Sequence, residues 1–158
     1  MILEHHPKHG FTLIELLIVI AIIIFLAKLI IPRYSAFYAK ARQTEVMLNL
    51  SNLYAAQQAY YIQHGRFTTN LKTVEWQPKG YTGNPETTQH AYTYGSIGID
   101  HNGQEGVTFY TGSSQTPATL LTGSQLTAEN FVFKAALRTE STTEVWRIDH
   151  TGEIKREQ

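Results

Sequence analysis

Residues 10–24 read Gly10-Phe11-Thr12-Leu13-Ile14-Glu15-Leu16-Leu17-Ile18-Val19-Ile20-Ala21-Ile22-Ile23-Ile24, an apolar run with one acid near its start. The run continues to Ile31: of the 21 residues Phe11–Ile31, only Thr12, Glu15 and Lys28 are not apolar. About 20 such residues in a helix span the hydrocarbon core of a bilayer. A buried helix of a water-soluble protein would need protein on every side to hide this much Ile and Leu. A cleavable secretory signal would need a small-x-small site after the apolar run. Here Phe25-Leu26-Ala27-Lys28 leads straight into Leu29-Ile30-Ile31-Pro32, and the small-residue junction, Gly10-Phe11, stands before the run. A carboxylate inside such a span costs roughly 3 kcal/mol or more and is usually functional. Glu15 lies one helical turn after Phe11, on the same face.

Gly10-Phe11-Thr12-Leu13-Ile14-Glu15, followed by Leu16-Leu17-Ile18-Val19-Ile20-Ala21, strongly resembles the class III signal of type IV prepilins and type II secretion pseudopilins. The resemblance is good over about the first 55 residues and loose beyond them. It implies a leader, Met1–Gly10, that a prepilin peptidase removes by cutting between Gly10 and Phe11. The same enzyme would then methylate the new amine, making Phe11 N-methylphenylalanine. It implies that Glu15 pairs with the N-terminal amine of a neighbouring subunit during assembly. Pairing recovers much of the cost of an isolated buried charge, so the carboxylate would act as a register pin; the bland alternative is an acid that is protonated or snorkels to the interface. The implied partners are other copies of the chain, joined through their N-terminal helices into a homopolymer. Further implied partners are an inner-membrane assembly platform with its ATPase machinery and an outer-membrane secretin. The implied locations are the inner membrane, as a single-pass protein, and then a surface pilus serving adhesion, twitching motility or DNA uptake. No cofactor and no enzymatic activity are expected.

Charge counting points the other way on orientation. Only Lys8 precedes the span closely, whereas Lys28, Arg33, Lys40 and Arg42 follow its apolar start. Taken literally, the positive-inside rule puts the C-terminus in the cytoplasm; the resemblance implies that it is outside. Lys28 is atypical of the family and is expected to snorkel outward or to pair with an acid of another subunit. The leader holds Glu4, His5, His6, Lys8 and His9. Pro7 interrupts that cluster and cleavage would discard it, so it reads as a short polar cytoplasmic tail rather than a metal site.

Helical patterning continues past the span. Pro32 removes a backbone hydrogen bond and is expected to kink or loosen the helix. An apolar stripe follows at Val46, Leu50, Leu53, Gln57 and Tyr60/Tyr61, at spacings of three and four, widened by Met47 and Tyr54. Tyr54, Tyr60 and Tyr61 read as core. His64-Gly65 is a stop signal. A helix from Phe11 to about Gln63 would be roughly 80 Å long, and its half near Ala41–Tyr61 is expected to pack on a globular head.

The head is richer in Thr, Gly, Tyr, Asn and Ser. Cysteine is absent, which excludes disulfides, thiolate nucleophiles and Cys-ligated metals. Thirteen Lys+Arg balance thirteen Asp+Glu, so net charge gives no argument for nucleic acid. Residues 66–90 read as a connecting loop, with turns at Pro78-Lys79-Gly80 and Gly83-Asn84-Pro85. Strands are expected at Ala91–Ile99, Val107–Tyr110, Asn130–Leu137 and Glu144–Ile148, with His150-Thr151-Gly152 turning the chain back into Glu153–Lys155. Asn102-Gly103 is a hairpin signal. The expected fold is α+β: a long N-terminal helix packed on an antiparallel meander of about four strands, which is also the pilin fold. Its parts are a leader (1–10), a transmembrane or filament-core helix (11–31), a continuing helix packed on the head (32–64) and a β-rich head (65–158).

Asp100-His101-Asn102 and Asp149-His150 place acids beside histidines, but on expected turns, where solvated loops outnumber catalytic pairs. Gly95–Gly98 and Gly103–Gly106 open no helix and lack the phosphate-loop lysine. Residues 100–105 lack the spacing of a calcium loop, which tilts the reading from pseudopilin to pilin. Loops at 66–90 and 112–128, expected to be mobile, are where binding specificity would lie. Two alternatives stand beside the pilus subunit: a pseudopilin or minor pilin, and a membrane-tethered domain that never polymerises.

Overall fold

A computed structural model describes residues 10–99, 105–122, 126–127, 129–140 and 142–157, without the side chains of residues 31–33, 97–99 and 105–108. Helix α1 runs Leu13–His64. It starts two residues later than expected because Thr12 serves as its cap. It ends where expected. Gly65 takes the left-handed conformation (φ 68°), and its N–H donates to Tyr61 O at 2.8 Å, which closes the last turn as a glycine at C′ does.

Contacts divide the chain into two units at Ala41/Arg42. In the first unit, α1 is long and apolar enough to cross a membrane by length and composition. Its large apolar side chains, from Leu13 through Ile22 to Leu29, are exposed.

In the second unit, the stripe of α1 is buried as its spacing predicts. Val46, Leu50, Leu53 and Gln57 lose all exposure, and Tyr54 and Tyr61 pack against the same core. Met47 departs from the expectation and is exposed; one step beyond Val46, it is turned about 100° off the stripe. Tyr60 is only half-buried and stacks on His64.

The head sheet has five antiparallel strands, β1 Thr93–Ile99, β2 Glu105–Tyr110, β3 Val132–Arg138, β4 Thr143–Asp149 and β5 Ile154–Glu157, in the order β2-β1-β3-β4-β5. The expected long helix and antiparallel sheet of about four strands are present, with a fifth strand added and an order that is not a simple meander. The return after His150-Thr151-Gly152 forms a true fifth strand, registered on β4 from Val145↔Glu157 to Ile148↔Ile154. β3 pairs with β1 rather than β2. Residues 111–131 carry the chain back across, with a short 3₁₀ turn, Ala118–Leu121, packed on β1 and β3. Thr93 Oγ1 donates to Thr116 O at 2.9 Å, and Arg138 N donates to Thr116 Oγ1 at 2.8 Å. Both faces of β3 are thus covered, so its burial does not alternate. Lys134, on the face opposite Phe133 and Ala135, is buried against Glu157 at 2.7 Å. The Asn102-Gly103 turn lies outside the described residues.

The stretches expected to be mobile are structural. Phe67, Leu71 and Trp76 are buried, and Trp76 packs edge-on against Tyr94 and Tyr110. Tyr110 Oη donates to Trp76 O at 2.9 Å. Gln57, inside α1, clips this segment by donating to Thr68 O at 2.8 Å and accepting from Thr68 N at 3.2 Å. In 112–122, Thr116 and Leu121 are buried. These loops add Phe67, Leu71, Trp76 and Leu121 to the core, while many of their residues, among them Lys72, Gln77, Asn84 and Gln89, stay exposed.

Candidate assembly site

The first turn of a helix leaves backbone N–H groups without partners. Here Thr12 and Glu15 satisfy two of them reciprocally. Glu15 N donates to Thr12 Oγ1 at 3.3 Å, and Glu15 Oε2 accepts from Thr12 N at 2.9 Å and from Thr12 Oγ1 at 2.8 Å. This is a capping box, and it places a negative group at the positive end of the helix dipole. Glu15 therefore has a local role at its own helix terminus. The expectation of Glu15 and Phe11 overlooked Thr12. The signal was present as Thr12-Leu13-Ile14-Glu15, a Thr-x-x-Glu immediately ahead of an apolar run. Only one oxygen is used: among the described residues, Glu15 Oε1 takes no hydrogen bond.

Gly10 and Phe11 precede the cap in irregular backbone. Phe11 is 82% exposed, and a Cβ built on Gly10 would meet nothing within 4 Å. The Gly10–Phe11 bond is thus open to an approaching enzyme, and the carboxylate sits one turn further on. Met1–His9, with the histidine cluster, lie outside the described residues. Helical backbone runs through position 32, and the Pro32 side chain lies outside the described ones. Lys28 is exposed and makes no ion pair or hydrogen bond among the described residues.

The acid–histidine neighbours separate into two cases. Asp100-His101 lies outside the described residues. At Asp149-His150 the acid is committed to the turn before β5: its Oδ1 accepts from Thr151 N at 3.0 Å, from Glu153 N at 3.3 Å and from Thr151 Oγ1. Burial pushes the Asp149 carboxyl up, but these hydrogen bonds and the nearby His150 outweigh it and hold it below its ordinary range. That is a turn-capping carboxylate.

Residues 5–27 match the family model described as the prokaryotic N-terminal methylation motif. The chain is 40% identical over 75 residues to the type IV major pilin protein PilA of Myxococcus xanthus, covering 47% of this chain and 34% of that protein. It is 43% identical over 63 residues to a type IV major pilin protein PilE1 of Neisseria gonorrhoeae, covering 40% of this chain and 38% of the relative. It is 46% identical over 61 residues to the type IV wide pilus major component PilA4 of Thermus thermophilus, covering 39% and 47%. The likeness thus spans between a third and a half of these relatives' own lengths. No solved structure matches the chain significantly.

Proposed function

We propose that this chain, a member of the type IV pilin family, is the structural subunit of a type IV pilus. It is made as a prepilin with the leader Met1–Gly10, cut between Gly10 and Phe11 by a prepilin peptidase that also methylates Phe11. The Phe11–Ile31 span holds it in the inner membrane with the head outside, and the platform, its ATPase and the secretin carry assembly to the surface. The observation that carries this reading is the helix from Leu13 to Ile30, apolar and exposed, entered through a capped carboxylate one turn after an open Gly-Phe bond.

In the filament, stems leave lipid and bury one another. A head-to-tail contact between identical subunits builds an open helical polymer rather than a closed ring. The free Oε1 of Glu15 accepts the Phe11 amine of a neighbour while Oε2 keeps the helix capped. Pro32 marks where the stem loosens to fit. The head acts by display rather than catalysis, and its use in adhesion, motility or DNA uptake is set by its outer surface.

Intact mass and N-terminal sequencing of protein sheared from the cell surface test this. The expected product starts at N-methylated Phe11 and is abundant. A chain that still starts at Met1 and stays in membranes would establish the tethered-domain reading instead.

A further inference from the structure

Lys28 is an unanswered cation. It is the one basic residue between Phe11 and Ile31, and none of the described residues pairs with it. In a bilayer this is tolerable. Lys28 lies seventeen residues after Phe11, about 25 Å along a helix, near the far side of the hydrocarbon, where a lysine snorkels to water. Burial among other stems removes that water, and a buried ammonium then requires a carboxylate.

Helix α1 holds only two carboxylates, Glu15 and Glu45. Glu15 is committed to its own cap by Oε2, and in the proposed filament its other oxygen takes a neighbour's amine. Glu45 has one carboxylate oxygen unanswered. It is half-buried at the rim of the head, and its Oε1 is buried with no hydrogen bond among the described residues. Burial pushes the Glu45 carboxyl above its ordinary value, despite a hydrogen bond from the Ala91 backbone and the charge of Arg42. The acid lines a cleft of about 190 Å³ with Leu48, Asn49, Lys79, Gln89 and His90. Leu48 is 53% exposed there, an apolar side chain suited to an incoming apolar helix. Lys28 and Glu45 stand seventeen positions apart in the sequence, far from the spacing of three or four at which side chains of one helix meet. One chain therefore cannot make this pair within its own helix.

We propose that in the assembled filament the Lys28 ammonium of one subunit pairs with the Glu45 carboxylate of another, with the apolar stem around Lys28 seated against Leu48. The inference rests on the filament reading above and adds a second, head-to-stem ionic contact to the stem-to-stem one at Glu15. It also gives Lys28 two successive environments, water at the membrane face before assembly and Glu45 afterwards.

Charge reversal in cells making the full chain tests it. Lys28→Glu and Glu45→Lys are each expected to cut sheared filament yield about tenfold or more, and the double reversal to restore most of it. Single variants that assemble at wild-type yield would overturn the pair. Because the chain has no cysteine, a second measurement is clean. Lys28→Cys and Glu45→Cys chains are co-expressed as minorities with wild type, so filaments form regardless. A bifunctional maleimide with a linker matching the combined reach of a lysine and a glutamate is expected to link the two variants to each other and not either to itself. Filaments that contain both variants and show no such link would overturn the proposal while leaving the filament reading intact. If even the wild-type chain yields no filaments, the filament reading itself fails.

Discussion

In the first half of α1, Leu13, Ile22 and Leu29 are each more than half exposed, whereas in the second half Val46, Leu50 and Leu53 are wholly buried. The residue types are nearly the same. What differs is the pattern. Residues 42–64 gather most of their large apolar side chains in one stripe that the head covers, leaving Met47, Leu48 and Ile62 off it. Residues 13–30 are apolar all round, and no single layer from one chain covers a helix on every side. The head half is completed within the chain; in the proposed filament the stem half is completed by lipid and then by copies.

The sharpest way to break that comparison is at Glu15, the polar exception in the stem. Glu15→Ala is expected to leave membrane insertion and head folding unchanged and to abolish incorporation into surface filaments. Glu15→Gln separates its two roles, because Gln keeps a capping box but brings no charge to a neighbour's amine. Loss of filaments with Gln as well as Ala, counted in sheared fractions, assigns the effect to the charge. Normal filaments with Gln would make the cap the essential part.

The next largest effect lies in the head. A Cβ on Gly112 would clash with Ala91 O and Tyr92 O, both backbone atoms. Gly112→Ala is expected to destabilise the head by about 3 kcal/mol or more, since backbone rather than a side-chain tip must move. Ile22→Ala, in the stem, is expected to leave the thermal midpoint of the detergent-held chain within about 1 °C and to lower filament yield. A matching loss of midpoint from Ile22→Ala would mean that the stem is covered by its own chain.

Much of this was legible in the sequence, for unequal reasons. The stem was readable because an all-round apolar run with one acid has few physical solutions, and the motif around Gly10-Phe11 is specific. The helical stripe was readable because the burial of Val46, Leu50, Leu53 and Gln57 follows from a period of 3.6. The strand order was not. Nothing local to Val132–Arg138 says that it pairs with β1 instead of β2; that depends on where residues 111–131 cross, and on small side chains such as Ala135 and Ala136 that accept cover on both faces. The loop 66–90 was readable as irregular backbone from turn residues such as Pro78, Gly80 and Asn84, but not as a contributor of Phe67, Leu71 and Trp76 to the core, because no period marks which side chains of a loop are buried. Thr12 was readable too, because a Thr-x-x-Glu ahead of an apolar run has the spacing of a capping box.

Gln57 offers a smaller effect that tests whether the loop is truly pinned. Its side chain meets both backbone polar groups of Thr68. Gln57→Leu keeps the volume and strands both groups, at an expected cost of about 1–3 kcal/mol. Amide hydrogen exchange should rise around residues 66–76 before it rises in β3. Uniform loosening of the whole head would show instead that the loop is not a separate layer.

The smallest effect is a pH dependence carried by the head and absent from the stem. His90 is buried, with Nδ1–H donating to Tyr92 O at 2.9 Å. Burial lowers its pKa below the ordinary 6.5, and the hydrogen bond to Tyr92 only partly offsets this. The unfolded chain therefore binds the proton first as pH falls. The stabilising contribution of neutral His90 is complete above about pH 6.5 and is lost as pH drops through the lower folded value. Glu45 works in the opposite sense at lower pH: its raised pKa favours the folded state while it is protonated and withdraws that contribution as pH climbs above 4.5 through the raised value. The thermal midpoint of the detergent-held chain is expected to fall between about pH 7.5 and 5.5, and His90→Gln is expected to flatten that stretch. A slope that survives His90→Gln would place the titrating group elsewhere, and a slope that appears in filament dissociation but not in subunit melting would place it between copies rather than within the head.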